Sequence, residues 1–350
     1  MTNINLIREI SWVFSLASFR NILDVPGEYI WAYPKDQSFR ELQTRSRSIF
    51  SSGNSIKDIE VIDYIQSLDL NKHLLNPWIV NQFEEKFIPW ITSSRNYNLK
   101  NIDIFKYIGF SAGTQESFIN FYLTNRNKRF RLFRGDYWWH MDIWCKLNLD
   151  WEYIENDDIK ENDICICSYP FALTGEKHKN LDWLIEECNK KNCKILLDFA
   201  YLPNSNNEVD IDLANEAIDE IAFSFSKTFP VQCARIAVRL KKNKANDPMQ
   251  ISNDENICNR LSAGLAYDII NRFSPDFMVT KYKEKQKFWC NLLGLTATPV
   301  VHFGIGEDYT DYGKSGDTAW CSPFNEQQNR YNLGMLYENE GLLRKLGYLT

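Results

Sequence analysis

From about residue 104 the chain alternates short apolar runs with amphipathic ones. IFKYIGF, RFRLFRG, WEYIE, DICICSYP, KILLDFAY, EIAFSFS and RIAVRL are rich in β-branched and aromatic residues, and several are nearly continuous in hydrophobicity. Strands buried on both faces read this way. Between them, TQESFINFYLTN and KNLDWLIEECNKK repeat apolar residues at helical spacing; in the second, Leu181, Leu184, Ile185 and Cys188 share one face. The pattern predicts an α/β domain of about 200 residues, with a mostly parallel, seven-stranded sheet flanked by helices.

Both ends are less regular. NSIKDIEVIDYIQSLDLNKHLLNPWIVNQFEEKFIPWI reads as helical, with Pro77 and Pro89 as breaks. From about residue 265 a helix precedes a glycine-rich loop, HFGIGEDYTDYGKSGD, and a strand-like RYNLGMLYE. The expected organisation is a large domain over 55–265, with 1–54 and 266–350 packing together as a smaller one. In INLIREISWVFSLASF, Arg8 and Glu9 interrupt an apolar stretch too short to span a bilayer. It is read as an amphipathic helix on the protein body.

Composition narrows the classes of function. The 350 residues suffice for a sizeable core, and 44% hydrophobic with 25% charged residues is the balance of a globular protein. Net charge is −6 without a lysine–arginine block, which argues against nucleic acid as a partner. Nine cysteines include no CxxC pair and no zinc-type spacing, so no metal site is expected. Cys165 and Cys167 alternate inside an apolar run as buried strand thiols do, in keeping with a reduced, cytoplasmic protein.

The chemistry gathers in FSFSKTFPVQCAR, residues 223–235. In open α/β sheets ligands sit at the carboxyl ends of strands, and Lys227 follows one. Burial there would favour a neutral amine able to form a Schiff base. Ser224, Ser226 and Arg235 suit a dianionic phosphate. An amine for an aldehyde beside a phosphate cradle describes pyridoxal 5'-phosphate (PLP). That cofactor also needs an acid opposite its pyridine nitrogen. Asp198 supplies one at the end of an apolar strand, and Tyr201 follows as a donor to the ring's phenolic oxygen. Gly113, Thr114 and Gln115 stand where a strand gives way to a helix, a natural phosphate site. GDYWWH offers Tyr137 to stack on the ring, with Trp138 the alternative in a register one residue on.

With these motifs in order, the chain resembles the fold type I PLP enzymes, and among them the class I/II aminotransferases related to aspartate aminotransferase. The resemblance spans roughly residues 75–340. It implies the PLP-dependent transferase fold and a homodimer acting on amino acid and 2-oxo acid substrates. Lys227 would form the Schiff base, Asp198 would pair with the pyridinium and Tyr201 with the phenolate. Thr114, Gln115, Ser224, Ser226 and Arg235 would hold the phosphate. His140 matches a histidine that in some relatives supports the aspartate. Arg330, in NRYNLGML, matches the arginine that clamps the substrate α-carboxylate. Arg272 reads as a helix-end arginine, with a distal substrate carboxylate as its alternative role.

The departures bear on the reaction. SYPFALTG keeps Thr174 and Gly175 of the family's NPNNPTG-like stretch but places Ala172 where an asparagine usually contacts the phenolic oxygen. Pro230 replaces a frequent glycine, and the segment between Lys227 and Arg330 is short. The expected activity is that of a specialised aminotransferase. The alternative is a PLP-dependent lyase, cyclase or oxidase using the same carbanion, since fold does not decide among them.

Overall fold

The computed structural model describes residues 55–206, 209–307 and 328–345, together with Asn3, Leu6, Ile10, Gly347 and Leu349. The amphipathic helix expected at the N-terminus and most of the glycine-rich loop lie outside them. Contacts divide the chain into two units, one of 54–284 with 298–302 and the other of 285–297 with 303–350 and the N-terminal residues.

In the first unit all seven expected strands form one sheet. They are β2 (Tyr107–Ser111), β3 (Phe130–Leu132), β4 (Trp151–Tyr153), β5 (Ile164–Ser168), β6 (Lys194–Asp198), β8 (Ile218–Ser224) and β9 (Ala237–Lys241), in the order β2-β9-β8-β6-β5-β3-β4. Only β9 runs against the rest, pairing antiparallel with both β2 and β8. A pair the apolar runs did not mark, β1 (Tyr97–Lys100) and β7 (Val209–Asp212), forms a separate parallel ribbon.

The sheet is covered on both faces. Ile164, Ile166, Leu196 and Ala222 pack beneath Phe118, Phe121 and Tyr122 of the helix Thr114–Thr124, with Phe130 and Trp144. On strand β5 the alternate residues Cys165 and Cys167 are equally buried. Cys188, from the helix Leu181–Lys190, brings its Sγ to 3.4 Å from that of Cys165. Phe83, Phe87 and Trp90 of the helix Ile79–Thr92 form a further aromatic layer with Phe223 and Phe225. Fully buried Arg131 is satisfied by Asp163 and by the carbonyls of Glu152, Tyr153, Asp157 and Asp158.

Three expectations are corrected. Pro77 precedes a helix start, but Pro89 lies inside the helix Ile79–Thr92 without ending it. The buried aromatic face of that helix offsets the one hydrogen bond proline forfeits. RYNLGMLYE is only half strand: β12 (Gln328–Asn332) stops where the Asn332 side chain accepts from Gly334 N–H at 2.8 Å, and a helix runs over Gly334–Glu338. The first residues of the glycine-rich stretch are strand β11 (Phe303–Glu307), which pairs with β10 (Thr296–Ala297) and β12 in the second unit. A Cβ on Gly304 would lie 3.0 Å from Cys290 Sγ, so the glycine permits close packing there.

Candidate active site

Six strands of the large sheet share a direction, so their carboxyl ends line one edge. Single reversals are what bring the remaining groups to that edge: β9 begins there, and Arg235 stands two residues before it. The chain thereby places Gly113–Gln115 after β2, Asp136 and Tyr137 after β3, Ser168 and Asp198 at the ends of β5 and β6, and Ser224 to Lys227 at the end of β8. These are crossovers and turns of a parallel sheet, the usual setting of a ligand site.

At the phosphate end, Gly113 sits at φ +86° and ψ 156°, a conformation open essentially to glycine. A Cβ there would meet Arg235 Nη2 at 2.0 Å, so only glycine lets the guanidinium approach the turn this closely. Arg235 also donates to Gln115 Oε1 at 3.3 Å. Thr114 begins the helix Thr114–Thr124, whose first-turn N–H groups favour an anion. Ser226 N–H donates to Ser224 Oγ at 3.2 Å, and the buried Ser226 Oγ has no hydrogen-bond partner.

Asp198 is almost wholly buried and accepts one backbone N–H, from Ala200, at 3.0 Å. Burial first, then the charge of Asp136, push its carboxyl up to about 7; the Ala200 N–H and the Lys227 ammonium oppose them. Lys227 Nζ lies 5.7 Å from the centroid of the Tyr201 ring. The lysine's carbonyl accepts from Asn204 Nδ2 at 2.6 Å, which fixes the turn that carries it.

Tyr137 is half-buried, and burial raises its hydroxyl pKa. Charges on Asp198, Tyr201 and Arg235 act on it, and Gln115 stands beside it, so one ring joins the carboxylate end to the phosphate end. Trp138 is 38% exposed. His140 is fully buried, and burial depresses its pKa to about 3, leaving the ring neutral. Its Nδ1 is hydrogen-bonded to Tyr122 Oη while Nε2 has no hydrogen-bond partner, so this ring makes no hydrogen bond to Asp198.

Ala172 is buried in the turn after β5, where Gly175 N–H donates to Phe171 O at 2.7 Å; its methyl offers no donor. Arg330 belongs to the second unit, on β12, with its guanidinium 4.2 Å from the Phe303 ring centroid. Arg272 closes the helix Arg260–Arg272, 3.9 Å from Glu60.

Two residues of the edge escaped the reading of the sequence. Asp136 is buried and accepts from Ser168 N–H at 2.9 Å, from Ser168 Oγ and from Tyr137 N–H at 2.7 Å. Asn204 is buried beneath the lysine turn. The available signal for Asp136 was its position one residue before a candidate stacking aromatic, directly after a strand. Among the described residues no cluster suits a metal ion.

These residues fit PLP. The donor set is cationic and hydroxylic at one end and carboxylic at the other, an amine acts on the carboxylic end, and an aromatic ring feels both. The orphaned Ser226 hydroxyl and the glycine cradle under Arg235 are what a bound phosphate would use.

No protein-family profile matches the chain, and comparison with curated proteins gives no match. Solved structures do match in shape. A PLP-bound C-S lyase from Staphylococcus hominis aligns with TM-score 0.62 and 12% identity over 90% of this chain and 91% of its own. L-Threonine-O-3-phosphate decarboxylase from Porphyromonas gingivalis aligns with TM-score 0.58 and 14% identity over 85% and 99%. Histidinol-phosphate aminotransferase from Clostridium acetobutylicum gives 0.59 and 13% over 84% and 96%. The chain therefore has the fold type I architecture, a fold that in these three proteins serves a lyase, a decarboxylase and an aminotransferase.

Proposed function

We propose that the chain is a PLP-dependent enzyme acting at the Cα of an amino acid, and an aminotransferase in particular. The observation that carries this is the convergence of Lys227, buried Asp198 and an Arg235 seated on Gly113 at one edge of the sheet. In this reading Lys227 holds the cofactor covalently through Nζ. Arg235, Ser224, Ser226, Thr114, Gln115 and the helix N-terminus hold its phosphate, and Tyr137 covers the ring. Bound there, PLP supplies an aldehyde for the substrate amine and a ring that accepts electrons when a Cα bond breaks.

Asp198 keeps a proton on the pyridine nitrogen, which makes the ring an effective acceptor. Tyr201 donates its hydroxyl toward the phenolic oxygen. Lys227 Nζ would take up the Cα proton; returning it to the cofactor's aldehyde carbon would give transamination, whereas elimination would require a leaving group to depart from Cβ. Arg330 binds the substrate carboxylate through two of its guanidinium nitrogens. A homodimer in the cytoplasm completes the proposal. Among the described residues no helix is long and apolar enough to cross a membrane.

Ala172 favours a second reading. Without a side-chain donor at that position the phenolic oxygen has less support, and an elimination, decarboxylation, cyclisation or oxidation from the same site becomes the competing outcome. One experiment separates them. Borohydride reduction of the PLP-loaded chain should label Lys227, and an amino acid added without oxo acid should convert the cofactor to its amine form. A label on another residue overturns the cofactor reading. Ammonia, a side-chain fragment, carbon dioxide or oxygen uptake in place of the half reaction overturns the aminotransferase reading alone.

A further inference from the structure

A chain that needed only to close the turn after β3 had no reason to bury a carboxylate there. Asparagine or serine satisfies such turns at lower desolvation cost. Yet Asp136 is 7% exposed and held by three donors. Two of them belong to Ser168, and Ser168 is the register partner of Asp198 on the adjacent strand. Neighbouring strands lie roughly 5 Å apart, so the sheet sets Ser168 beside Asp198, and Ser168 in turn holds the Asp136 carboxylate.

We propose that Asp136 is a positioning residue that acts through Asp198, its fixed negative charge helping Asp198 to hold a proton on a cationic ring nitrogen. The inference rests on the PLP reading above. The ionisable groups around the pair are mostly acidic or neutral. Glu155 acts on Asp136, and Asp136 in turn acts on Cys167 and Tyr122. Tyr137 feels Asp198, and Lys227 is the cation that acts on Asp198. Arg134 directs its guanidinium to Asn156 and over the Tyr153 ring, so it does not neutralise Asp136. Both carboxyls are pushed up, Asp136 to about 6 by burial and Asp198 to about 7 by burial and then by Asp136, with the Lys227 ammonium opposing only in part. A protonated nitrogen against Asp198 is the charge that lets both ionise. By linkage, each carboxylate then raises the pH at which that nitrogen loses its proton.

The test uses the full chain loaded with PLP labelled with ¹⁵N in the ring. The ring nitrogen of the wild type should stay protonated across a pH titration. Asp136→Asn, which keeps one oxygen to accept from Tyr137 N–H and Ser168 Oγ, should lose that proton at a pH lower by about one unit or more. Its preference for PLP over the analogue with carbon in place of the ring nitrogen should fall roughly tenfold. Ser168→Ala removes one donor that favours the Asp136 carboxylate but leaves the Ser168 and Tyr137 N–H donors, so it should move the nitrogen titration in the same direction by a smaller step. An unchanged titration and an unchanged preference in Asp136→Asn overturn the proposal. If that variant does not fold, the carboxyl of Asp136 in ¹³C-aspartate-labelled wild type replaces it. Its midpoint should fall by about one unit or more on loading, and an unmoved midpoint overturns the proposal. A wild type that takes up no PLP through Lys227 overturns the cofactor reading, and this inference with it.

Discussion

Asp198 carries a cost in the empty protein. Its folded-state pKa, about 7, lies above the ordinary value of 3.8 because burial and Asp136 disfavour the carboxylate. Between those two values the native chain holds a proton that the unfolded chain has released. Stability therefore falls as pH rises through that window. Asp198→Asn cannot ionise and escapes the penalty. Without cofactor it should melt above the wild type at pH 8, with the difference vanishing toward pH 4. Each kcal/mol gained moves Tm by about 2–4 °C in a domain of 150–250 residues. Paired thermal melts across pH check this, and a variant that melts lower at pH 8 would count against a strained, ligand-seeking carboxylate. The same substitution should weaken retention of PLP, since it removes the proposed partner of the ring nitrogen. Loss of stability and loss of binding would then run in opposite directions, as they do where a site is built for a ligand's charge rather than for folding.

At the scale of elements, the phosphate end depends on the contact between a turn and a returning strand. Gly113→Ala places a methyl in the space of Arg235 Nη2 and strains a backbone at φ +86°. Losing one charge-assisted contact costs about 1.5–3 kcal/mol, so PLP affinity should drop about 10- to 100-fold. Inorganic phosphate, titrated as a competitor, should weaken in parallel, while saturating PLP should still attach to Lys227. This element was legible in the sequence because GTQES follows an apolar run and Arg235 precedes one. The seven strands were legible for the same reason: all five residues of Ile164–Ser168 are buried, and burial on both faces leaves an unbroken apolar run. Tyr97–Lys100 alternates buried and exposed residues and so presents no apolar run, and its pairing with Val209–Asp212 is set by distant chain. Asp136 was not legible because its burial is decided by Ser168 on another strand. Its one local cue, a place just before a candidate stacking aromatic, does not tell it from the solvated aspartates of ordinary turns.

At the scale of the molecule, the cofactor roles and the substrate role proposed for Arg330 can be tested apart. Everything assigned to the cofactor lies in 54–284 with 298–302, whereas Arg330 lies on β12, paired with β11. If Arg330 binds the substrate carboxylate, its removal should leave the cofactor end untouched. Arg330→Ala should bind PLP with the wild-type absorbance and the same borohydride label on Lys227. The amino acid concentration needed to drive the half reaction should rise about 10- to 100-fold, the cost of a lost bidentate charge-assisted contact. Arg330→Lys should recover only part of this, because an ammonium cannot present two parallel donors to a carboxylate. Stopped-flow absorbance against amino acid concentration reads both variants. A loss of cofactor binding in Arg330→Ala would make the residue structural, through its stacking on Phe303. An unchanged half reaction would move the carboxylate clamp to another residue while leaving Lys227 and Asp198 in their roles.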